Sequence, residues 1–382
     1  METFELIAPC HFGLEAVLKR EIIDLGYDVS RVEDGRVYFI GDMEAICRAN
    51  VFLRTAERVL LMVGQFSAAS FEELFENTKA LDWARFIPKD GKCWVKKASS
   101  VKSKLHSIPD IQSVMKKAIV EKLKAAHGVD RIPETGASYP LRVTLLKDVV
   151  TVSLDTSGDS LHKRGYRGTF VKAPISETLA AALILLTPWK KERILVDPFC
   201  GSGTFPIEAA MIAANMAPGM NRRFQAEEWK NLIGRKLWYD SIEEANDGLD
   251  LSVTTDIQGY DLDPAAVRIA RQGAGRAGVD HLIHFQQRPV GQLSHPKAYG
   301  FLITNPPYGE RLSNKEEVAR LYGQLGERFA ALDRWSAFVI TSCEETERYM
   351  GRKADKKRKI YNGMLKTTFY QFMGPKPPRK EV

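Results

Sequence analysis

The feature that most constrains the fold is an alternation of short apolar runs with longer helical segments, which begins near residue 169. Regular alternation of strand and helix predicts a parallel, doubly wound sheet in an α/β domain. The predicted elements are, in order, 194–197, 205–216, 257–261, 264–277, 283–287, 301–304, 315–332, 337–342 and 366–372.

The first 67 residues follow a different order, in which strand, helix, strand, strand, helix and strand succeed one another. The pair Asp34-Gly35 indicates a hairpin turn between the second and third strands. This βαββαβ order is the ferredoxin-like arrangement and predicts a small unit that closes on itself. Its elements are expected at 3–9, 14–25, 28–33, 36–40, 42–52 and 58–64.

The next segment, 68–168, is distinguished by lysines and includes two predicted strands, 141–146 and 149–154. Between Lys89 and His127 there are ten lysines, no arginine and three acidic residues, a charge of +7 that equals the net charge of the chain. A helix is expected there, because Ile111, Val114, Met115, Ala118, Ile119 and Leu123 recur at helical spacing. Such a helix suits phosphate binding, although solvated surface is the plainer explanation of its charge.

Composition excludes several classes of protein. The longest apolar run, Leu179 to Leu186, has eight residues, whereas a membrane helix needs about 20. The first residues show no secretory signal pattern, and five widely spaced cysteines fit reduced thiols, so we expect a cytoplasmic protein. The histidines and cysteines show no metal-ligand spacing, so we expect no metal. A second basic cluster, 352–359, carries six basic residues against one acidic residue.

Three strand ends in the last segment carry candidate ligand-binding residues. The first is Asp197, which precedes the turn Phe199-Cys200-Gly201-Ser202-Gly203-Thr204. Glycines after a strand let a ligand approach the backbone closely. The turn lacks the GxxxxGK[ST] phosphate motif, and an acid at the strand end suits a ligand with an amino group.

The second strand end is Asp261-Leu262-Asp263-Pro264, where a carboxylate can accept hydrogen bonds from both hydroxyls of a ribose. Capping of the following helix explains Asp261 or Asp263 equally well. The third is Asn305-Pro306-Pro307-Tyr308. Two prolines stiffen the chain, so that the Asn305 side chain and the Pro306 carbonyl can accept both hydrogens of one planar NH₂ group, with Tyr308 available for stacking.

In this order, DPFCGSGT, GYDLD and NPPYGERL resemble motifs of class I S-adenosylmethionine-dependent methyltransferases that modify exocyclic amino groups. Nearly the whole chain resembles the RlmL-type family of 23S ribosomal RNA guanine-N2 methyltransferases, including its YpsC-like members. The resemblance implies three domains: a ferredoxin-like subdomain at 1–67, a THUMP RNA-binding domain with its hinge at 68–168, and a Rossmann-like methyltransferase domain at 169–382.

The resemblance also implies residue roles. The cofactor S-adenosylmethionine is expected to contact Glu177, Thr178, Asp197, Phe199, Cys200, Gly201, Ser202, Gly203, Thr204, Asp261 and Leu262. The target base is expected at the catalytic residues Asn305, Pro306, Pro307 and Tyr308. RNA is expected to contact Lys96, Lys97, Lys102, Lys104, Lys116 and Lys117. Two features depart from the expected pattern: no acid occupies the run Phe285-Gln286-Gln287-Arg288-Pro289, where many relatives of this catalytic fold place one, and the gap from Asp197 to Asp261 is long. The gap predicts an insertion at 217–256, which resembles a feature of the family.

The expected function is therefore methyl transfer from S-adenosylmethionine to an exocyclic amino group of an RNA base, with guanine N2 of 23S ribosomal RNA as the expected target. NPPY also occurs in enzymes that methylate adenine N6, so an adenine-N6 methyltransferase acting on DNA or RNA is an alternative. A second alternative is a non-catalytic RNA-binding factor in ribosome assembly. The preserved Asp197, Asp261 and Asn305 argue against a degenerate domain.

Overall fold

Two mixed seven-stranded sheets organise the computed structural model, which describes residues 2–168, 175–307, 315–363 and 365–378. Each sheet belongs to its own compact unit. The first unit comprises Met1–Cys10, Lys19–Leu161 and Arg222–Glu244, and the second comprises His11–Leu18, His162–Asn221 and Ala245–Val382.

The sheet of the first unit has the strand order β2-β3-β1-β4-β7-β6-β5 and is antiparallel except for the pair β5 and β6. Its strands are β1 (Phe4–Pro9), β2 (Val29–Glu33), β3 (Arg36–Gly41), β4 (Leu60–Ser67), β5 (Lys92–Val101), β6 (Ser138–Leu146) and β7 (Val149–Asp155). The helices around it are α1 (Glu15–Asp24), α2 (Met43–Phe52), α3 (Phe71–Ala80) and α4 (Ile108–His127).

The predicted βαββαβ order is present as β1-α1-β2-β3-α2-β4, but it does not close as a separate small sheet. Strand β4 pairs along its length with β7, from Leu60 opposite Asp155 to Ser67 opposite Val149. One sheet therefore runs from the ferredoxin-like segment into the lysine-rich segment. Because a strand edge that is paired cannot recruit another chain, this pairing also removes an exposed edge.

The predicted lysine-rich helix is α4, which ends where Gly128 adopts a left-handed conformation with φ of +63°. Of its six predicted apolar-face residues, five are buried: Ile111, Met115, Ala118, Ile119 and Leu123. Val114 is half-buried. Strand β5, which is not predicted from the sequence, lies at the edge of the sheet and carries exposed lysines. Charged side chains are common on edge strands, because they discourage pairing with other chains.

The insertion in the second half of the chain contributes to the first unit through Arg222–Glu244. Trp229 is fully buried there, its ring stacks on Tyr139 with 5.1 Å between centroids, and its indole N–H donates to the carbonyl of Ser138 at 2.7 Å. The segment is thus part of the core of the first unit, although its neighbours in sequence belong to the second.

The sheet of the second unit has the order β10-β9-β8-β11-β12-β14-β13. The first five strands are parallel, and β14 and β13 add an antiparallel hairpin at one edge. The strands are β8 (Leu195–Asp197), β9 (Ile257–Asp261), β10 (Ile283–Gln287), β11 (Phe301–Thr304), β12 (Ser336–Thr341), β13 (Lys356–Asn362) and β14 (Leu365–Phe372). The helices of this unit are α5 (Glu177–Leu186), α6 (Thr204–Ala213), α8 (Pro264–Ala277), α9 (Lys315–Ala331) and α10 (Thr346–Tyr349). Helix α7 (Arg235–Asp247) belongs mainly to the first unit, which includes the residues up to Glu244.

Apolar cores lie on both faces of this sheet, as expected for a doubly wound fold. One includes Leu183, Phe205 and Ala270 from α5, α6 and α8, and the other includes Leu325 and Phe329 from α9. The strand order reverses between β8 and β11, because the chain leaves β8 for β9 and β10 and then returns to β11. Ligands of open α/β sheets bind at the carboxyl ends of the strands at such a reversal.

Candidate active site

Asp197 ends β8 at the strand-order reversal and is 2% exposed. Its Oδ1 accepts hydrogen bonds from the Phe199 backbone N–H at 3.1 Å and from the Thr304 hydroxyl at 2.6 Å. Burial raises the pKa of this carboxyl to about 7, and the nearby Asp261 carboxylate adds to the rise. Among the described residues no cation forms an ion pair with Asp197, so a positively charged ligand group would stabilise its ionised form.

The glycine turn after β8 needs its two glycines for different reasons. Gly203 has a φ of +82°, and a Cβ there would lie 2.9 Å from atoms of both Ala270 and Phe285. Gly201 has a φ of +51°, but no described atom lies within 4 Å of the position that its Cβ would take. Packing therefore requires Gly203, whereas Gly201 borders open space that a ligand can occupy.

The other residues of the turn differ in exposure. Cys200 is 6% exposed, and burial raises the pKa of its thiol, which disfavours a nucleophilic thiolate. Thr204 is buried at the start of α6, while Phe199 and Ser202 are half-buried. Phe199 also packs against the core on the α9 side of the sheet.

Asp261 ends β9, the strand next to β8. Its two carboxylate oxygens accept hydrogen bonds from the backbone N–H groups of Gly201 and Asp263, both at 2.9 Å. Burial raises the pKa of this carboxyl. The N-terminus of α8 is capped instead by Asp263, whose side chain accepts a hydrogen bond from the Ala265 N–H at 2.8 Å. Since each carboxylate oxygen has two lone pairs, Asp261 retains capacity for further donors. Leu262, beside it, is 66% exposed.

Glu177 and Thr178 begin α5 and are buried. Oε2 of Glu177 lies 3.2 Å from Nη1 of Arg167, and burial raises the pKa of this carboxyl. Arg167 also donates to the Ile175 carbonyl at 2.6 Å and to the Thr204 hydroxyl at 2.9 Å, so one guanidinium joins the starts of α5 and α6. Arg167 has no role predicted from the sequence, because the only signal for it is its place in the segment expected to be the hinge.

Asn305 follows β11 directly. Its Oδ1 is buried and, within the described part of the chain, has no hydrogen-bond partner. A buried acceptor without a donor is rare and destabilising unless a ligand or water supplies one. Pro306 is buried and Pro307 half-buried, and Tyr308 lies outside the described residues.

The three strand ends predicted to carry the chemistry lie at one edge of the sheet. Strands β9, β8 and β11 are parallel neighbours, with Asp197 opposite Gly259 and Val196 opposite Leu302. Their carboxyl ends therefore bring Asp261, Asp197 and Asn305 to the same side. On the neighbouring loop after β10, where no acid is present, the Gln287 side chain donates to the Leu262 carbonyl at 3.2 Å.

The six predicted RNA-binding lysines lie in the first unit and do not share one environment. Lys96 and Lys97 are exposed on β5, and Lys102 and Lys104 are exposed just beyond it. Lys117 is exposed on α4, with Nζ 5.7 Å from the centre of the Phe75 ring.

Lys116 is half-buried, unlike the other five, and its ammonium forms an ion pair with Glu134 and a hydrogen bond to the Cys93 carbonyl. The Glu134 carboxylate therefore already neutralises the ammonium charge that would bind an RNA phosphate.

A cationic cluster in the same unit is not predicted from the sequence. Asp155, which is fully buried, accepts hydrogen bonds from Arg58 at 2.9 Å and from Arg142 at 3.0 Å, and Lys96 lies 3.9 Å away. Three cations thus surround one carboxylate. The sequence signal is weak, because Arg58 and Arg142 are distant in the chain and lie outside the lysine-rich run.

In the described ranges, no group of three or more histidine, cysteine, aspartate or glutamate side chains could hold a metal ion. No described helix is long and apolar enough to cross a membrane.

Comparison with known proteins identifies the domains. Residues 164–371 match the RMKL-like methyltransferase domain, 5–60 the RlmL ferredoxin-like domain and 68–155 the THUMP domain. The chain belongs to the RMKL-like methyltransferase family. This confirms the family and the fold class predicted from the sequence, namely an α/β methyltransferase sheet preceded by ferredoxin-like and THUMP segments.

Similar proteins include "Putative RNA methyltransferase YpsC" of Bacillus subtilis (strain 168), 48% identical over 100% of this chain and 99% of that protein. The "Ribosomal RNA large subunit methyltransferase K/L" of Cellvibrio japonicus (strain Ueda107) is 34% identical over 96% of this chain, which spans only 51% of that relative. A solved structure, "SMU.472, a putative methyltransferase complexed with SAH", is 45% identical with a TM-score of 0.94, covering 99% of this chain and 100% of that one.

Proposed function

We propose that this protein transfers a methyl group from S-adenosylmethionine to an exocyclic amino group of a base in RNA, and that the base is guanine in 23S ribosomal RNA, methylated at N2. The observation that carries the proposal is the buried Oδ1 of Asn305, which has no hydrogen-bond partner in the described part of the chain and lies at the same sheet edge as two carboxylates. An acceptor in that position suits a ligand that brings N–H donors, as an exocyclic amino group does.

The residues at the reversal fit S-adenosylmethionine. Asp197 suits the ammonium of its methionine part, because this carboxylate is buried without a cationic partner among the described residues. Asp261 suits the ribose hydroxyls, and Gly201 leaves open space beside both. Glu177 and Thr178 are proposed to lie near the methionine end, with Phe199, Cys200, Ser202, Gly203, Thr204 and Leu262 lining the rest. SMU.472, which is 45% identical, is described as complexed with SAH.

When bound, S-adenosylmethionine supplies a methyl group already activated by a sulfonium. The task left to the chain is to position an exocyclic nitrogen whose lone pair is delocalised into the base. The Asn305 Oδ1 and the Pro306 carbonyl would accept the two amino hydrogens, which favours a pyramidal nitrogen and directs its lone pair. No general base is required, because the proton becomes acidic after methyl transfer.

The choice of substrate rests on the first unit and on relatives. A THUMP domain and exposed lysines favour RNA, and the relatives are named for RNA or for ribosomal RNA of the large subunit. An amino group paired in a duplex cannot reach the site, so the base must be single-stranded or flipped out. Guanine N2 follows from the family resemblance alone. An adenine-N6 methyltransferase therefore remains the second candidate, since Asn305 would accept from either amino group.

One experiment separates these outcomes. Ribosomal RNA from cells that lack this gene is incubated with the protein and labelled S-adenosylmethionine, and the nucleosides are then analysed. We expect label in N2-methylguanosine of 23S RNA, and RNA from cells that retain the gene is the matched control because its site is already methylated. Label in N6-methyladenosine would select the second candidate, and no label in either would refute the proposal.

A further inference from the structure

The hairpin formed by β13 and β14 extends past the edge of the sheet that carries Asn305. Thr304 of β11 is level with Val339 of β12, which is level with Tyr370 of β14. Strand β12 ends at Thr341, opposite Thr368, whereas β14 begins at Leu365. The first three residues of β14 therefore project beyond the carboxyl end of β12, on the same side as Asn305.

The register also gives an approximate distance. Neighbouring strands lie about 4.8 Å apart and each residue advances about 3.3 Å, so Lys366 lies about 10 Å across and about 10 Å beyond the level of Asn305. A single nucleic acid strand with one base at Asn305 would pass within reach of this hairpin tip.

One face of the hairpin tip carries two lysines around an aromatic ring. Tyr361 is 45% exposed and lies opposite Lys366, and Lys359 precedes it on the same face, opposite Thr368. Both lysines are exposed, and neither forms a salt bridge with any described residue. Two cations that flank an exposed ring match the pattern of single-strand binding surfaces, in which phosphates meet lysines and a base stacks on the aromatic side chain.

The rest of the basic cluster at 352–359 is largely engaged elsewhere. Arg352 pairs with Asp355 at 2.7 Å, Lys357 pairs with Glu347 at 3.0 Å, and Arg358 donates to the Gly13 carbonyl at 2.5 Å. Internal contacts therefore account for these three residues but not for Lys359, nor for Lys366 on the paired strand.

We infer that Lys359, Tyr361 and Lys366 form a positioning surface for the RNA strand next to the target nucleotide. This inference rests on the proposed function and adds to it a second RNA contact, located in the methyltransferase unit itself. The opposing explanation is that β13 is an edge strand, where lysines serve to prevent pairing with other chains.

The test compares three variants with the wild type on ribosomal RNA from cells that lack the gene. In Lys359→Ala with Lys366→Ala, we expect RNA binding about three- to tenfold weaker, the size expected for two exposed ion pairs, and a smaller salt slope. Tyr361→Ala should weaken binding by about fivefold or more, because a stacked base is lost. Tyr361→Phe should retain wild-type binding, since the ring remains.

The matched control is Lys353→Ala with Lys356→Ala, which removes the same charge from two exposed lysines, one just before β13 and one at its first residue. Affinity for S-adenosylmethionine and the single-turnover rate at saturating RNA should stay at wild-type values in every variant. Equal loss in the control pair, or no loss at Lys359, Tyr361 and Lys366, would overturn the inference. If the wild type itself leaves this RNA unmethylated, the proposed function fails instead, so the two failures are distinguishable.

Discussion

The carboxyl edge of the second sheet and the lysine-bearing part of the first unit contrast in how they hold their charges. At the sheet edge, Asp197 and Asp261 are fixed by hydrogen bonds of 2.6–3.1 Å from backbone and side-chain donors. In the lysine-rich segment, Lys97 and Lys117 extend into solvent. Fixed, partly desolvated groups suit chemistry on a small ligand, whereas mobile surface charge suits a long polyanion.

The contrast predicts that a single change at the sheet edge has a large effect on one step, while a change among the lysines has a small effect on overall affinity. Asn305→Ala should show the largest effect, because its acceptor matters most in the transition state. We expect the single-turnover rate on RNA to fall by about 10²–10³, the range seen when one preorganised polar group is removed from an active site.

Affinity for S-adenosylmethionine should change little in that variant. Asn305→Asp, which keeps a side-chain oxygen as an acceptor at this position, is the matched comparison and should retain more activity than Asn305→Ala. A wild-type rate in Asn305→Ala would remove the NPPY segment from the proposed mechanism.

The next largest effect is expected at Asp261. Asp261→Ala removes charge-assisted hydrogen bonds to the ribose, each worth about 1.5–3 kcal/mol, so calorimetry should show cofactor affinity weaker by at least about tenfold. Since Asp261 also accepts from Gly201 and Asp263, part of the loss could come from the turn. Asp263→Ala is the comparison at the neighbouring carboxylate, because it removes the cap of α8 and leaves both backbone hydrogen bonds to Asp261 in place, and it should retain wild-type affinity. Equal affinity in Asp261→Ala and the wild type would exclude Asp261 from the site.

A smaller effect is expected from pH, through Asp197. Its pKa of about 7 means that the native protein holds this proton more tightly than the unfolded chain, whose value is 3.8. The contribution of this group to stability therefore falls as the pH rises from about 4 through 7.

Cofactor binding has the opposite pH dependence, because a cationic ammonium favours the ionised carboxylate. Affinity should fall as the pH drops below about 7, by up to about tenfold per unit for one proton. Calorimetry between about pH 5.5 and 7.5 checks this, and Asp197→Asn should flatten the profile. If cofactor affinity in the wild type does not change with pH, Asp197 does not bind the ammonium.

The same contrast explains what the sequence could predict. Strand ends such as Asp197, Asp261 and Asn305 were predictable in position, because the alternation of elements fixes which residues meet at the carboxyl edge. Strand β13 was not, because Lys356-Lys357-Arg358-Lys359 shows no apolar alternation. The sequence places Trp229 in an insertion but does not predict that it is buried, since its packing on Tyr139 joins residues 90 positions apart. Such contacts depend on tertiary structure and leave no local pattern.

Lys116 and Lys117 show the same limit at neighbouring positions. Both belong to one lysine-rich helix and look equivalent in sequence, yet the ammonium of Lys116 is paired with Glu134 while Lys117 is exposed. Periodicity assigns a residue to a helix face, but it does not reveal a carboxylate supplied by a distant loop.

The smallest expected effect comes from these lysines and tests the other side of the contrast. Lys117→Ala should weaken RNA binding modestly and lower the salt slope by about 0.7–0.9, the value for one phosphate contact. Lys116→Ala should leave the salt slope nearly unchanged, and it should reduce stability because Glu134 loses its partner. Filter binding at several salt concentrations, together with thermal unfolding, measures both. The methylated position should not move in either variant, because phosphate contacts carry little sequence information. An unchanged slope in Lys117→Ala would mean that this lysine only solvates α4, and an equal fall in Lys116→Ala would mean that RNA displaces Glu134 from its partner.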